Sequence, residues 1–330
     1  MRLRTATVAV GLLTVAAVVT ACGGAPSAAL APTSVPAPTA TSATSTTTPR
    51  TTMAPATSTP PTTVAPTTVV PTTVVPTTAA CALPSTGFSC PEQQRIAGVQ
   101  AYLATRPGTV GIVLRDRQTG AAWSNQHAEN TVWTASTIKL AMVVDLFTRA
   151  GRGTITLTVT DRTQIQAMLH SSDDDAADAL WYRYAGADHL AYNDDFPAYG
   201  LTDLTPRHGF STYYPYWGFQ QTTPADLDRL ITYVLTELDA GDRAYIVNAL
   251  QHVDEDQQWG VWAAGPARSP GNKDGWSLEQ GGWVINSVGF AGPGQRYTLA
   301  MMDSLGGQGG YDDGVATLST VAEQLTAGLP

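Results

Sequence analysis

Trp133-Thr134-Ala135-Ser136-Thr137-Ile138-Lys139-Leu140 is the stretch that decides the fold, because a Ser-x-x-Lys pattern is followed here by an apolar run with helical spacing. In a helix that begins near Ser136, an offset of three residues places Lys139 on the same face. The free N–H groups at the start of such a helix favour negative charge. An amine beside a serine hydroxyl is a recognised way to activate a nucleophile. The stretch therefore predicts a serine nucleophile with a lysine partner.

Lysine occurs at only two positions, Lys139 and Lys273, although the chain holds 18 basic residues. A lysine amine can lose its proton and act as a base, whereas an arginine guanidinium stays charged. A sequence that otherwise avoids lysine indicates that amine chemistry is needed at these two places. The alternative is two surface lysines that a compositional bias left behind.

The first 80 residues predict export and a tether. A charged start and an apolar run are typical of a lipoprotein signal peptide over residues 1–21. Val19-Thr20-Ala21-Cys22 has the form of a bacterial lipobox, so we expect a lipid on Cys22 to hold the protein on the outer face of the cytoplasmic membrane. Ordinary secretion with an incidental cysteine is the alternative. Residues 22–80 are rich in Thr, Pro and Ala and predict a disordered tether.

Two cysteines, Cys81 and Cys90, remain once Cys22 is assigned to the lipid. In an exported protein such a pair predicts a disulfide bond, here at the start of the folded domain. The five histidines show no ligand-like spacing to the cysteines or to one another, so neither a metal nor another cofactor is expected.

Residues 81–330 are long enough for one domain with a sizeable core. The pattern predicts an α/β (α+β) fold, an antiparallel sheet flanked by helices with a helical insert. The predicted elements are a helix from Pro91 to about Thr105, strands Val110 to Leu114 and Ala121 to Ser124, the Ser136 helix, a helix from Thr160-Asp161 to about Leu169, a helix from Thr223-Pro224 to about Leu238, strands Trp283 to Phe290 and Tyr297 to Ser304 after the Lys273 stretch, and a helix from about Asp313 to Leu325.

Three short motifs follow one another in the chain: Ser136-x-x-Lys139, Ser172-Asp173-Asp174 and Lys273-Asp274-Gly275. Their order resembles the S-x-x-K, S-D-N and K-T-G set of class A β-lactamases and penicillin-binding proteins. The resemblance covers roughly residues 91 to 328, and it is strongest to the LppW-type lipoproteins of mycobacteria, which have an altered second motif. It implies a β-lactamase/transpeptidase-like fold. The helical subdomain should be trimmed, because the first two motifs are closer together than in class A enzymes.

The resemblance also implies a role for each motif residue. Ser136 would be the nucleophile, with Lys139 as its partner base. Ser172 would pass a proton to the leaving group, and Lys273 would supply positive potential. The oxyanion hole would use the backbone N–H groups of Ser136 and Trp276.

Two acidic residues depart from the family's motifs. Asp174 stands where the second motif has asparagine, and Asp274 stands where the third motif has threonine, beside Gly275. In the family these three positions contact the substrate. Two carboxylates there would cancel much of the attraction for a substrate carboxylate and would stabilise the ammonium form of Lys139. We therefore expect weak reaction with penicillins and a preference for neutral or cationic acyl donors.

The stretch between the second and third motifs lacks a residue that class A enzymes need for deacylation. They place there a glutamate that activates water, but residues 181–223 contain none. His208 lies near that place and is a candidate water activator; a surface histidine, or one under an aromatic ring, is the alternative. Five aromatic residues of the same stretch could line a ligand cleft or fill a core between subdomains: Tyr213, Tyr214, Tyr216, Trp217 and Phe219.

The charge balance excludes some partners. The formal net charge of −9 becomes −11 when Arg2 and Arg4 leave with the signal peptide (−9 − 2). This argues against nucleic acid and against a basic membrane-surface patch. A metal on the acidic cluster Asp173-Asp174-Asp175 is disfavoured, because the serine motif explains these residues better.

Two function classes stay open. The first is an active-serine acyl-transfer enzyme of the cell envelope, a monomer that acts on a peptidoglycan-like or another small acyl donor. The second is a degenerate family member that binds wall material or a protein partner without turnover. The intact serines and lysines favour the first class. The missing glutamate, Asp174 and Asp274 favour the second.

Overall fold

The computed structural model describes residues 87–209, 212–279 and 281–329. The predicted signal peptide, the tether, Cys22 and Cys81 lie outside the described residues. Cys90 is disulfide-bonded, and its pairing with Cys81 stays a prediction. Within the described residues, no helix combines the length and the apolar composition that a bilayer crossing needs.

Eight strands of the described residues form two antiparallel sheets. Their bounds are β1 Thr109–Asp116, β2 Ala122–Ser124, β3 Val132–Trp133, β4 Thr205–Pro206, β5 Gln220–Thr222, β6 Gly271–Glu279, β7 Gly282–Ala291 and β8 Tyr297–Ser304. The main sheet has the order β2-β1-β8-β7-β6, and a small one has the order β3-β5-β4. Strand β6 is thus an edge of the main sheet, and it carries the third motif.

Helices of the described chain pack on both faces of the main sheet. Their bounds are α1 Cys90–Leu103, α2 Ile138–Gly151, α3 Val159–His170, α4 Asp174–Tyr184, α5 Ala191–Asp195, α6 Pro224–Thr236, α7 Ala240–Leu250 and α8 Tyr311–Thr326. Side chains of a strand point to opposite faces in alternation. In β8, Leu299 and Met301 pack with α1 and α8, whereas Ala300 and Met302 pack with the core that α2 and α6 share.

The first motif leads into α2, a deeply buried helix. Every residue of α2 from Ile138 to Phe147 is buried. A helix that is apolar on all sides belongs inside a domain. Burial of this helix therefore fixes Lys139 in the interior.

Several predicted elements are confirmed. Strands β1 and β2 pair as the predicted hairpin, with Val113 opposite Ser124. Helix α6 begins after Thr223, whose side chain accepts a hydrogen bond from the Asp226 backbone N–H. The α+β fold with an antiparallel sheet flanked by helices is the observed architecture.

One local prediction was wrong, and one strand of the main sheet was not predicted. The cap of α3 is Thr158, not Thr160-Asp161: Asp161 N donates to Thr158 Oγ1 at 3.2 Å, and Thr158 N donates to Asp161 Oδ2 at 2.7 Å. This reciprocal pair satisfies two free N–H groups, which a start two residues later would leave open. The Lys273 stretch precedes the two predicted strands as expected, but it is itself part of a strand, β6, whose residues Gly271 to Gly275 are all buried.

Candidate active site

Ser136 lies in a tight 3₁₀ turn, Ala135–Thr137, immediately before α2. Ala135 takes a left-handed conformation with φ of 44°, which costs free energy for a residue other than glycine. The turn is held by Thr137 Oγ1, which donates to Thr134 O at 2.6 Å, and by Asn286 Nδ2, which donates to the same oxygen at 3.1 Å. The expected helix start near Ser136 is thus met to within two residues.

Gly275 brings the third motif onto this turn. A Cβ atom at Gly275 would lie 2.7 Å from both Ser136 N and Thr137 N. Real Cβ atoms do not approach backbone so closely, so only glycine fits here. Strand β6 therefore passes directly against the backbone N–H groups that were predicted to face an oxyanion.

Lys139 is fully buried, and its ammonium has three neighbours. Nζ donates to the backbone oxygen of Ser172 at 2.5 Å and forms an ion pair with Asp174. Nζ also lies 4.6 Å from the centroid of the Trp217 ring. In the described chain, no hydrogen bond joins Lys139 to the hydroxyl of Ser136. The resting amine is therefore directed at the second motif rather than at the nucleophile.

Burial and charge act in opposite directions on this amine. Burial lowers the pKa of Lys139, and the carboxylate of Asp174 offsets part of that decrease. The sequence predicted that Asp174 would favour the ammonium form, and this contact acts in that direction. Burial is nevertheless the larger effect, so a neutral amine is easier to form than in water.

Ser172 connects the two lysines of the chain. Its backbone oxygen binds Lys139, and its Oγ accepts a hydrogen bond from Lys273 Nζ at 2.8 Å. Ser172 has a positive φ of 59°, a strained conformation that the surrounding contacts maintain. Lys273 is 1% exposed, and burial, followed by the nearby Lys139 charge, lowers its pKa. Two buried amines thus share one serine beside the Ser136 turn.

The acidic residues of the second motif have separate tasks. Asp173 caps α4 by accepting from Ala176 N at 2.7 Å, whereas the Asp174 side chain is 72% exposed while it pairs with Lys139.

No group of three or more His, Cys, Asp or Glu side chains in the described ranges could hold a metal ion.

Asp274 does not face the substrate side as expected. It is 1% exposed, and strand alternation directs it to the face opposite Lys273 and Gly275. A Cβ atom on Gly260 would lie 3.5 Å from its Oδ1. Burial raises the pKa of Asp274, and the nearby Ser287 and Asn272 offset this only in part. The expectation that the Asp274 carboxylate repels an incoming substrate carboxylate was therefore wrong.

His208 lies at the periphery, whereas Trp276 is half-buried directly after Gly275. His208 is exposed, and its ring lies 4.4 Å from that of Tyr214, in an edge-on contact. No contact of His208 with Ser136 or Lys139 is found in the described part of the chain, which matches the alternative of a surface histidine against an aromatic ring. The Trp276 side chain packs edge-on against Tyr311, with centroids 5.7 Å apart.

Sequence reasoning missed the part that Trp217 and Asp178 play at Lys139. Asp178 Oδ1 accepts from Trp217 Nε1 at 2.7 Å and from Tyr216 Oη at 2.5 Å. The sequence signal was the high density of aromatic residues after position 212. It left open whether these side chains line a ligand cleft or fill a core between subdomains. Trp217 is 6% exposed and belongs to the core that α2 and α6 share. Its ring also covers one side of Lys139.

Comparison with known proteins shows the family. A model of the β-lactamase enzyme family matches residues 94–327. The lipoprotein LppW of Mycobacterium tuberculosis is similar, with 29% identity over 237 residues, 68% of this chain and 71% of that protein.

Solved β-lactamases share the fold. One from Burkholderia vietnamiensis is 19% identical with a TM-score of 0.58, covering 71% of this chain and 95% of its own. One from Streptosporangium roseum is 16% identical with a TM-score of 0.59, covering 72% and 98%. An ancestral class A β-lactamase is 18% identical with a TM-score of 0.57, covering 71% and 98%. Because the family model spans most of the chain, this protein belongs to the β-lactamase enzyme family.

Proposed function

We propose that this chain is a cell-envelope serine acyl-transfer enzyme that forms an acyl-enzyme on Ser136 and releases it slowly. The observation that carries the proposal is Ser172, which binds the buried amines of Lys139 and Lys273 beside the Ser136 turn. Buried amines with lowered pKa cluster at functional sites, because a structural role rarely repays the cost of burying two like charges.

Acylation can be written with the groups present. Ser136 Oγ forms a bond to the acyl carbon, and its proton passes to the neutral amine of Lys139. Charge on the carbonyl oxygen is stabilised by backbone N–H groups at Ser136 and Trp276. Ser172 donates its hydroxyl proton to the leaving group as the bond to the acyl carbon breaks, and Ser172 regains a proton from Lys273.

Deacylation lacks an evident catalyst. No glutamate lies between positions 181 and 223, and His208 is exposed on Tyr214. The acyl group should therefore stay on Ser136 until a suitable acceptor arrives. We infer poor turnover of penicillins and a substrate of the peptidoglycan-like or small acyl-donor class.

Location follows from the N-terminal sequence and the relative. LppW bears the name lipoprotein, and Val19-Thr20-Ala21-Cys22 has the form of a lipobox. We infer that a lipid on Cys22 anchors a monomeric domain outside the cytoplasmic membrane, that residues 22–80 form its tether, and that Cys81 and Cys90 are joined.

The second candidate is a binding module without turnover. It is favoured by one contact, the ion pair of Lys139 with Asp174, together with the missing hydrogen bond from Lys139 to Ser136 within the described residues. An amine held in this way would leave Ser136 unactivated.

A fluorophosphonate probe separates the two candidates. The wild type, Ser136→Ala and the control Ser124→Ala, whose serine lies on β2 at the far edge of the sheet, are incubated with the probe. Intact-protein mass spectrometry should find one adduct on the wild type and on Ser124→Ala, and none on Ser136→Ala. An unlabelled wild type, or equal labelling of all three proteins, would favour the binding module.

A further inference from the structure

The indole of Trp217 covers one side of the Lys139 ammonium. Nζ lies 4.6 Å from the ring centroid, a distance at which a cation is attracted to an aromatic face. The turn that carries this residue, Trp217–Phe219, lies beside the turn Ala135–Thr137, with Cα atoms within 8 Å. Beside its two polar partners, Ser172 and Asp174, Lys139 therefore has an apolar ring on the side where Trp217 lies.

Asp178 holds this ring in place. It lies one helical turn after Asp174 on α4, and its Oδ1 accepts from both Trp217 and Tyr216. Burial and the hydrogen bond to Asp178 raise the pKa of Tyr216 well above its ordinary value, so Tyr216 stays a donor. A buried indole N–H needs such a partner, and without it the ring would lose its fixed position.

We propose that Trp217, positioned by Asp178, keeps water away from the Lys139 side of the acyl-enzyme and so prolongs its lifetime. The inference rests on the proposed acyl-enzyme at Ser136. Hydrolysis requires that a water oxygen bond to the acyl carbon, that the bond to Ser136 Oγ break, and that a water proton reach Ser136 Oγ through a base. An ordered water needs two or more polar partners, and an indole face supplies none.

The slow release of the acyl group then has two causes. One cause is the absence of glutamate from residues 181–223. The other is that the Trp217 ring occupies the space beside Lys139 where a hydrolytic water would otherwise bind. Only the second cause can be removed by truncating a side chain. Trp217 and Asp178 are positioning residues in this account, since neither donates a proton or bonds to the acyl group.

The test measures how long an acetyl group stays on the protein. Wild type and variants are acetylated with para-nitrophenyl acetate, freed of reagent by rapid desalting, and followed by intact-protein mass spectrometry. Trp217→Ala and Asp178→Ala should shorten the half-life of the acetyl adduct about tenfold or more, equivalent to about 1.4 kcal/mol in the barrier.

Conservative variants distinguish exclusion of water from a general loss of packing. Trp217→Phe keeps an apolar face, and Asp178→Asn keeps the oxygen that accepts both hydrogen bonds, so both should stay within about threefold of the wild type. Trp123→Ala truncates a partly buried tryptophan of β2, far from β6, and should leave the half-life unchanged.

The outcomes separate this inference from the proposed function. No acetyl adduct on Ser136 in the wild type overturns both. An adduct whose half-life is the same in Trp217→Ala and the wild type overturns the inference alone. If Trp217→Ala does not fold, the pair Asp178→Ala and Asp178→Asn decides, and equal half-lives for these two contradict the inference.

Discussion

The contact between Asp174 and Lys139 gives the sharpest prediction about the chemistry of the site. In Asp174→Asn the carboxylate that favours the ammonium form of Lys139 is removed, while a hydrogen-bond acceptor stays. Burial already lowers the pKa of Lys139, and loss of the opposing charge lowers it further. More Lys139 is then neutral at a given pH, so acylation of Ser136 should become faster.

The magnitude follows from exposure. The Asp174 side chain is 72% exposed whereas that of Lys139 is buried, so solvent screens much of the attraction. Pairs with an exposed partner contribute up to about 1 kcal/mol, which equals about 0.7 pKa unit and about a fivefold change in the neutral fraction. The pH profile of acylation should therefore move to lower pH by about 0.7 unit.

The assay is the second-order rate of fluorophosphonate labelling, measured between about pH 5.5 and about pH 9.5. Asp175→Asn is the matched control, because Asp175 is exposed on the same helical turn and forms no ion pair within the described residues. It should leave the profile almost unchanged. A profile of Asp174→Asn that stays in place or moves to higher pH would refute the reasoning.

Three further predictions follow from other contacts. Gly275→Ala should abolish labelling of Ser136, because its Cβ would lie 2.7 Å from Ser136 N, whereas Gly241→Ala in the open surface of α7 should label normally. Burial raises the pKa of the Asp303 carboxyl to about 7, so this carboxyl stabilises the fold below about pH 3.9, and the contribution is lost as pH rises through about 7. The Tm of Asp303→Asn should therefore fall less than that of the wild type between about pH 5 and about pH 8. The exposed control Asp312→Asn should behave like the wild type. Nitrocefin turnover should be far below about 10 s⁻¹, and the His208→Ala variant should hydrolyse nitrocefin at the same residual rate as the wild type. Rapid turnover would contradict the slow release of the acyl group, and a loss of turnover in His208→Ala would contradict the position of His208 outside the site.

The sequence was sufficient for the parts of the site that depend on short motifs. Ser136, Lys139 and Lys273 were singled out by the Ser-x-x-Lys spacing and the rarity of lysine, and Ser172 by the resemblance to the family's second motif; in the structure Ser172 contacts both lysines. Gly275 was named through the resemblance to the third motif, and the structure supplies the reason for a glycine, because only a residue without Cβ fits against the Ser136 turn. The fold class followed from the order of elements and from the resemblance, and it is confirmed.

What failed depends on orientation, which spacing does not determine. Asp274 was expected to face the substrate, but the motif lies inside β6, where alternation sends this side chain to the opposite face. Trp217 was left between cleft and core, since an aromatic cluster fits both. Its contact with Lys139 depends on Asp178, 39 residues away in the sequence, and only the fold reveals such a pairing.

The central claim is that Ser136 carries the acyl group, and peptide mapping after brief treatment with para-nitrophenyl acetate tests it most directly. The protein is quenched in acid, digested and sequenced by mass spectrometry. The account predicts a single acetyl group on Ser136 that is absent from Ser136→Ala. An acetyl group found only on other residues, or none on the folded wild type, would contradict it.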